Sequence, residues 1–259
     1  MASTSESNPA GPLIASHRGG ADLWPENSMT AFRETALLDV DQVEFDVHPT
    51  ADGELVVHHD PTVERMTDGV GAIADQPLAA LSELTLKGTH ADRIPLLRDV
   101  LGLYRPTTID LRLEIKADAN RFRYPGLEMA VADAVTAAEL QQRTTVTSFS
   151  IDTLLAFRTC LPRVPLIWLV DRSIVRQIGD LEAVLRIAAG RGVTEVALHE
   201  SDLGAEQVDL GRSVGLAVGA YAVNDAASIE RMFDLGVTVF TTNRPDLALE
   251  ERARRQLAR

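Results

Sequence analysis

The sequence predicts a closed (β/α)8 barrel, a TIM barrel, carrying a β-hairpin after its second strand and a small insertion. Three observations predict it. Short runs rich in Val, Ile, Leu and Thr alternate with longer helical patterns over nearly the whole chain, as parallel strands joined by crossover helices require. Eight such runs fit within 259 residues, the usual size of a closed barrel. No Gly-x-Gly-x-x-Gly follows the first strand run, which counts against a doubly wound open sheet.

Taken in order, the strand runs fall at residues 13–17, 42–47, 108–115, 144–149, 165–170, 195–199, 216–223 and 237–242. Helices between them have recognisable ends. "NSMTAFRETALLD" opens on Asn27 or Ser28 as a cap, and "NDAASIERMFDLG" opens at Asn224 or Asp225 and closes at Gly236. "GLEMAVADAVTAAEL", "LEAVLRIAAGRG" and "RPDLALEERARRQLA" continue the alternation.

A ninth run, "ELVVHHD", follows Asp52-Gly53, a turn that joins antiparallel strands and so takes this run out of the barrel wall. With Asp52 and Gly53 at the turn centre, opposite residue numbers sum to 105 and Asp46 faces His59. Residues 61–106 then read as an insertion of short helices capping part of one end. Residues 1–12 read as a disordered tail before a single domain over 13–259.

The chain is 45% hydrophobic and 24% charged, ample for a large core. Its formal net charge of -13 sets the surface against nucleic acid and anionic membranes. No apolar run nears the roughly eighteen residues needed to span a bilayer, and the amino terminus lacks the basic and apolar regions of a secretory signal. The expectation is a cytoplasmic protein with no nucleic-acid partner and no transmembrane segment; a homo-oligomer stays open. Cys160 reads as a buried structural thiol, and one cysteine allows no disulfide within the chain.

Barrel enzymes gather their chemistry at the carboxyl ends of the strands. Strand one ends in "SHRGG", giving His17 and Arg18; strand two carries Glu44 and Asp46; the hairpin adds His59; the next strand ends in "LRLEIK", giving Glu114 and Lys116. Period two puts Glu44 and Asp46 on one face, pointing into the barrel mouth, and likewise Glu114 and Lys116. Three converging carboxylates repel unless something positive sits between them, and oxygen-only ligation favours one Mg2+ or Ca2+ ion over zinc. Taken singly, a Glu-x-Asp pair is usually a solvated strand face and a lone histidine is usually structural; the convergence is what argues for function. Two histidines beside such an ion, with Arg and Lys near, suit phosphodiester cleavage. Alternation gives His59 rather than His58 the catalytic place, with His58 and His48 secondary.

At these residues the sequence resembles the glycerophosphodiester phosphodiesterase family. The matching blocks are "HRGGADLWPENSMTAF" and "EFDVHPTADGELVVHHDPTVERMTDG", followed by "IPLLRDVL", "LEIK", "TSFS", "YAVND" and "GVTVFTTNRPD" over residues 13–247. The resemblance implies His17 and His59 as the acid-base pair and Glu44, Asp46 and Glu114 as ligands of Mg2+ or Ca2+. It places Arg18 and Lys116 at the phosphate and Glu26 and Asn27 near the site. The implied reaction releases glycerol 3-phosphate and an alcohol through a cyclic phosphate. Tyr221 stands where the family commonly has Trp, in the wall of the substrate pocket, and Asn243 where it has Asp. Arg121, Arg123, Tyr124 and Trp24 are further candidates for lining the mouth. Competing readings are a lysophospholipase D, an enolase-like proton abstraction by Lys116 that leaves the paired histidines unexplained, and a non-catalytic binding barrel.

Overall fold

The computed structural model describes residues 11–258; the tail read over residues 1–12 lies, but for Gly11 and Pro12, outside the described residues. Nine strands follow one another among the described residues. They are β1 (Leu13–Ser16), β2 (Gln42–Pro49), β3 (Leu55–Val57), β4 (Asp110–Ile115), β5 (Thr144–Ser148), β6 (Leu166–Val170), β7 (Glu195–His199), β8 (Ala217–Tyr221) and β9 (Val239–Thr242). All but β3 pair in parallel, in the order β1-β9-β8-β7-β6-β5-β4-β2, and β1 closes the ring onto β2 through Ala15 opposite Gln42 and Ser16 opposite Val43. The eight-stranded barrel expected from the alternation is the observed architecture.

Around it lie α1 (Met29–Thr35), α2 (Leu78–Leu81), α3 (Leu97–Tyr104), α4 (Leu127–Ala137), α5 (Ile151–Cys160), α6 (Arg172–Ile178), α7 (Leu181–Gly190), α8 (Ala205–Ser213), α9 (Ala226–Leu235) and α10 (Pro245–Leu257). The read caps function as such. Ser28 accepts from the amide of Ala31, Asp225 from that of Ser228, and Gly236 ends α9 at φ 61 in the left-handed region. The outward residues of β2, Val43, Phe45 and Val47, pack into the main core with Phe32, Leu101 and Tyr104, which leaves Glu44 and Asp46 on the opposite face. Cys160 is half-buried on the fringe of this core, not enclosed as expected.

Two boundaries differ from expectation. The hairpin register is one residue off: Val47 pairs with Val57 and Pro49 with Leu55, so opposite numbers sum to 104 and Asp46 does not face His59. The cause is the loop. Thr50 donates its amide to Glu54 O at 2.8 Å and Gly53 donates to Thr50 O at 3.0 Å, so Ala51, Asp52 and Gly53 form a three-residue connection with Gly53 left-handed at φ 84. The second difference is in the insertion read over residues 61–106. Its early part packs Val63, Ile73, Leu81, Leu86 and Ile94 with Val56 of β3 into a separate small core. Helix α3 belongs instead to the barrel layer, because Leu97, Val100, Leu101 and Tyr104 recur at helical spacing and bury against the main core.

At the amino-terminal end of the strands the barrel interior encloses an ion pair, Arg112 on β4 with Glu195 on β7, Nη2 to Oε1 at 3.3 Å. Burial pushes the Glu195 carboxyl up, and the Arg112 cation opposes it. Gly219 on β8 makes the room: a Cβ there would lie 2.4 Å from Glu195 Oε1 and 2.9 Å from the Val239 carbonyl oxygen. Since neither the backbone nor the buried carboxylate can withdraw freely, Gly219→Ala is expected to destabilise the fold by about 1–3 kcal/mol. A thermal melt within a degree of wild type would contradict this packing.

Candidate active site

The first strand delivers two groups through an abrupt change of backbone. After Ser16 the chain enters a single 3-10 turn, His17–Gly19, in which Arg18 is left-handed at φ 51, ψ 31. For an arginine such a conformation costs about 1–3 kcal/mol and persists only where surroundings impose it. They do so here. The Arg18 amide donates to Glu44 Oε2 at 3.0 Å, its Nη1 to Glu26 Oε1 at 3.0 Å, and its Nε stands 3.4 Å from Asp46 Oδ2. Gly19 is pressed against α1, where an added Cβ would sit 2.9 Å from the Ala31 Cβ, so no larger residue fits this close approach of the loop to the helix.

His17 is fixed from behind by a residue 226 positions later in the chain. Its Nδ1 lies 2.6 Å from Asn243 Oδ1, while Asn243 Nδ2 donates to Asp22 Oδ1 at 3.0 Å. The Asp22 carboxylate can only accept, which sets the amide's orientation and hence the proton on His17 Nδ1. His17 Nε2 is left bare and faces Glu44 Oε2 at 3.8 Å. Burial drives the His17 imidazole down to about 4, the Arg18 cation adds to the shift, and the Asn243 bond and Asp46 oppose it.

Strands β2 and β4 bring the acids together. Glu44, Asp46 and Glu114 are all buried, and each offers one oxygen within 4.8 Å of the others'. Adjacent register explains it, since Asp46 pairs with Glu114 across β2 and β4. Three buried negative charges are held by the cations around them. Lys116 Nζ lies 2.9 Å from Glu114 Oε1 and 3.2 Å from Asp46 Oδ1, and Asn27 Nδ2 donates to Asp46 Oδ2 at 2.8 Å. Burial works against the Asp46 carboxylate, yet Lys116, Arg18 and Asn27 hold it well below the usual range. Glu44 goes the other way: burial and the charges of Asp46 and Glu114 push it well above its usual value. Burial also opposes the Lys116 ammonium, but Asp46 and Glu114 outweigh it and raise its pKa.

This cluster fits a hard divalent cation. Its donors are all carboxylate oxygens, and Asp46 Oδ1 is buried with no hydrogen bond, only the Lys116 ammonium 3.2 Å away, so it keeps acceptor capacity for an ion.

His59 arrives by a route other than cross-strand pairing. The ladder ends at Val57 and the chain bends at His59 and Asp60. Two contacts hold the residue there. His48 Nε2 donates to the His59 carbonyl at 3.1 Å, with its own Nδ1 left to accept from Tyr124 OH at 3.1 Å. Asp60 Oδ1 lies 2.6 Å from His59 Nδ1. Burial alone would raise Asp60, but bonds from Arg65 and His59 hold it at about 2; as an ionised acceptor it receives the hydrogen bond of His59 Nδ1 and leaves Nε2 as the nitrogen free to exchange a proton. His59 is near enough to His17, Asp46 and Glu114 for its charge to bear on all three. His58 is buried and turned away, its Nε2 3.2 Å from the Thr62 carbonyl oxygen.

The remaining residues read from sequence are placed less centrally. Tyr221 ends β8, where its hydroxyl donates to the Val170 carbonyl at 3.2 Å and its ring meets Phe149 and His199 edge to face. Arg123 is paired with Glu128 and Tyr124 with His48, so neither is free at the mouth; Trp24 packs against Gly20. Sequence reading missed three groups that contact these side chains: Asp60, Arg65 and Asn243. Asn243 had been noticed only as a lost charge. The signal for Asp60 was its place in "HHD", directly after the histidine it orients.

Comparison with known proteins gives a consistent result. A profile described as the glycerophosphoryl diester phosphodiesterase family matches residues 17–247. A glycerophosphodiester phosphodiesterase of Bacillus altitudinis is 30% identical over 92% of this chain and 97% of its own. The crystal structure of an Agrobacterium tumefaciens protein provisionally named for the same activity superposes with a TM-score of 0.92 at 33% identity, covering 95% of this chain and 99% of that one. A phosphodiesterase of Oleispira antarctica, solved with the product sn-glycerol-3-phosphate, shares the fold at 23% identity, with a TM-score of 0.76 over 93% of this chain and 96% of its own. Among the described residues no helix is long and apolar enough to cross a membrane.

Proposed function

The chain belongs to the glycerophosphoryl diester phosphodiesterase family and is a phosphoric diester hydrolase; from that premise we propose how its own residues carry the reaction. Glycerophosphodiesters are cleaved to glycerol 3-phosphate and an alcohol, with His17 and His59 as the acid-base pair. Glu44, Asp46 and Glu114 hold one divalent cation, Mg2+ or Ca2+, and Arg18 and Lys116 meet the phosphate. Residues 13–259 act as one catalytic barrel. The single observation that carries this reading is the pair of histidines whose Nδ1 atoms are held by Asn243 and Asp60, leaving both Nε2 atoms for proton transfer, set around a buried carboxylate triad.

The partners of the two rings divide the labour. Asn243, a neutral amide, gives His17 no counter-charge, and its depressed pKa keeps it neutral: a base. Asp60, a carboxylate, gives His59 a counter-charge through Nδ1, which suits the ring that delivers a proton: an acid. In the first step His17 Nε2 takes the proton of the glycerol 2-hydroxyl as its oxygen bonds to phosphorus, while His59 Nε2 gives a proton to the alcohol oxygen whose bond to phosphorus breaks. In the second, His59 takes a proton from water as it attacks the cyclic phosphate, and His17 returns its proton to the departing 2-oxygen. The sum adds one water. Arg18 and Lys116 offset charge on the phosphoryl oxygens throughout, and the bound cation supplies further Lewis-acid stabilisation there. Asn27 and Glu26 act behind these groups, Asn27 on Asp46 and Glu26 on Arg18.

One observation favours a second reading. Phe122 is 69% exposed and Phe149 38% exposed, both on loops at the carboxyl ends of strands, where an acyl chain would need apolar surface. The test is therefore a panel: glycerophosphocholine, glycerophosphoethanolamine and glycerophosphoglycerol, assayed for glycerol 3-phosphate, beside lysophosphatidylcholine assayed for choline. Glycerol 3-phosphate from the first set is expected. Choline from the lysolipid with no product from the others would replace this reading with a lysophospholipase D; no product from any would overturn both.

A further inference from the structure

One polar chain at the mouth has no part in the chemistry so far described. Arg65 Nε donates to Asp60 Oδ2 at 2.5 Å, while its Nη1 and Nη2 donate to Glu26 Oε2 and Oε1 at 2.9 and 2.7 Å. Asp60 holds the His59 ring, and Glu26 holds Arg18. The two carboxylates come from different segments: Glu26 from the loop after β1 that also carries His17, and Asp60 from the bend after β3. A single guanidinium thus ties together the two loops that bear the two histidines. We propose that Arg65 is a positioning residue, which fixes the His59 ring through Asp60 and sets its place relative to His17 through Glu26; the proposal rests on His59 being the acid-base group argued above.

The reason a clamp is needed lies in the backbone. His59 sits on a bend, outside the ladder that would otherwise define its direction. His48 secures its carbonyl, but the ring depends on the carboxylate of the very next residue, whose rotamer nothing in β3 constrains. Binding the second Asp60 oxygen removes that freedom. The rigid fork of arginine is suited to this, since three of its donors are used at once and two of them grip one carboxylate side by side. An ordinary surface ion pair contributes little to stability. Arg65 is 44% exposed at its side chain, whereas Glu26 and Asp60 are 13% and 25% exposed, so the guanidinium covers two largely buried acids at the edge of the site.

The test uses Arg65→Met, Arg65→Lys, Asp60→Asn and the double Asp60→Asn/Arg65→Met, with glycerophosphocholine as substrate and 15N-labelled histidine for the ring state. Arg65→Met is expected to lower kcat about tenfold with KM changed by less than about twofold, a misplacement effect rather than a binding one. Arg65→Lys, which keeps charge but not the fork, is expected to fall between the two. The double variant is expected to lose less than the two single losses combined, because part of the Arg65 effect runs through Asp60. In the spectrum, recorded at a pH where the ring is neutral, His59 is expected to pass from one Nδ1-protonated tautomer in wild type to a mixture in Arg65→Met. A kcat within twofold of wild type in Arg65→Met, full additivity with Asp60→Asn, or an unchanged tautomer would each overturn the proposal. The tautomer is read without turnover, so a wild-type protein inactive on every diester would refute the assigned reaction while leaving the clamp to be judged by its own signal.

Discussion

His59→Ala is expected to lower kcat for glycerol 3-phosphate release from glycerophosphocholine by about 10^3-fold, within the range a single acid-base group supplies. His17→Ala is expected to cost as much, but the two losses should differ in kind. The alcohol leaving from a choline ester is a poor leaving group and needs the His59 proton. A nitrophenol leaves without one. On a glycerol phosphodiester of 4-nitrophenol, His59→Ala is therefore expected to recover most of its lost rate, while His17→Ala, lacking the base for the 2-hydroxyl, stays slow. The assignment follows from the contrasting partners, an amide 2.6 Å from His17 Nδ1 and a carboxylate 2.6 Å from His59 Nδ1. Recovery by His17→Ala instead would reverse the roles, and full activity in either variant would remove that histidine from the chemistry.

The second large effect concerns the acidic triad. Removing divalent cations with a chelator is expected to lower activity by about 10^3-fold or more, with return of activity on adding Mg2+ or Ca2+. Asp46→Asn should reproduce the loss and fail to recover. Asp46 is the pivot because it is wholly buried and its Oδ1 has no hydrogen-bond partner, while its Oδ2 is occupied by Asn27. An amide there keeps the shape but offers a neutral oxygen to the ion and to Lys116. A second readout is thermal: an ion that binds only the folded chain stabilises it by about 2.7 kcal/mol at a hundredfold excess over its dissociation constant. A melting temperature raised by Mg2+ or Ca2+ in wild type and unmoved in Asp46→Asn is the expected pattern. Full turnover after complete chelation would remove the ion from the mechanism.

The acids were legible in sequence and the groups behind the histidines were not. Glu44 and Asp46 are two apart on one strand, and Glu114 and Lys116 two apart on another, so alternation alone put each pair on a single face. Helix caps at Ser28 and Asp225 were likewise written within four residues of the amides they serve. The hairpin shows where local reading stops. Asp52-Gly53 announced a turn, but whether it spans two residues or three depends on the hydrogen bond from Thr50 to Glu54, and that single residue decided that Asp46 lies opposite His58 and not His59. The choice of His59 over His58 rested on a register that the structure does not have.

The β/α alternation, the element ends and the side of each strand on which the acids lie are determined by the sequence itself, because they arise from periods of two and 3.6 residues and from bonds between near neighbours. Tertiary structure alone decided the left-handed turn at Arg18, the Asn243 bond to His17 and the Arg65 bridge from Glu26 to Asp60. These contacts join residues that are far apart in the chain or lie on irregular backbone, 226 positions apart for His17 and Asn243 and 39 for Glu26 and Arg65. Their geometry exists only once closure of the barrel has brought the strand ends, and the loops they carry, to one mouth.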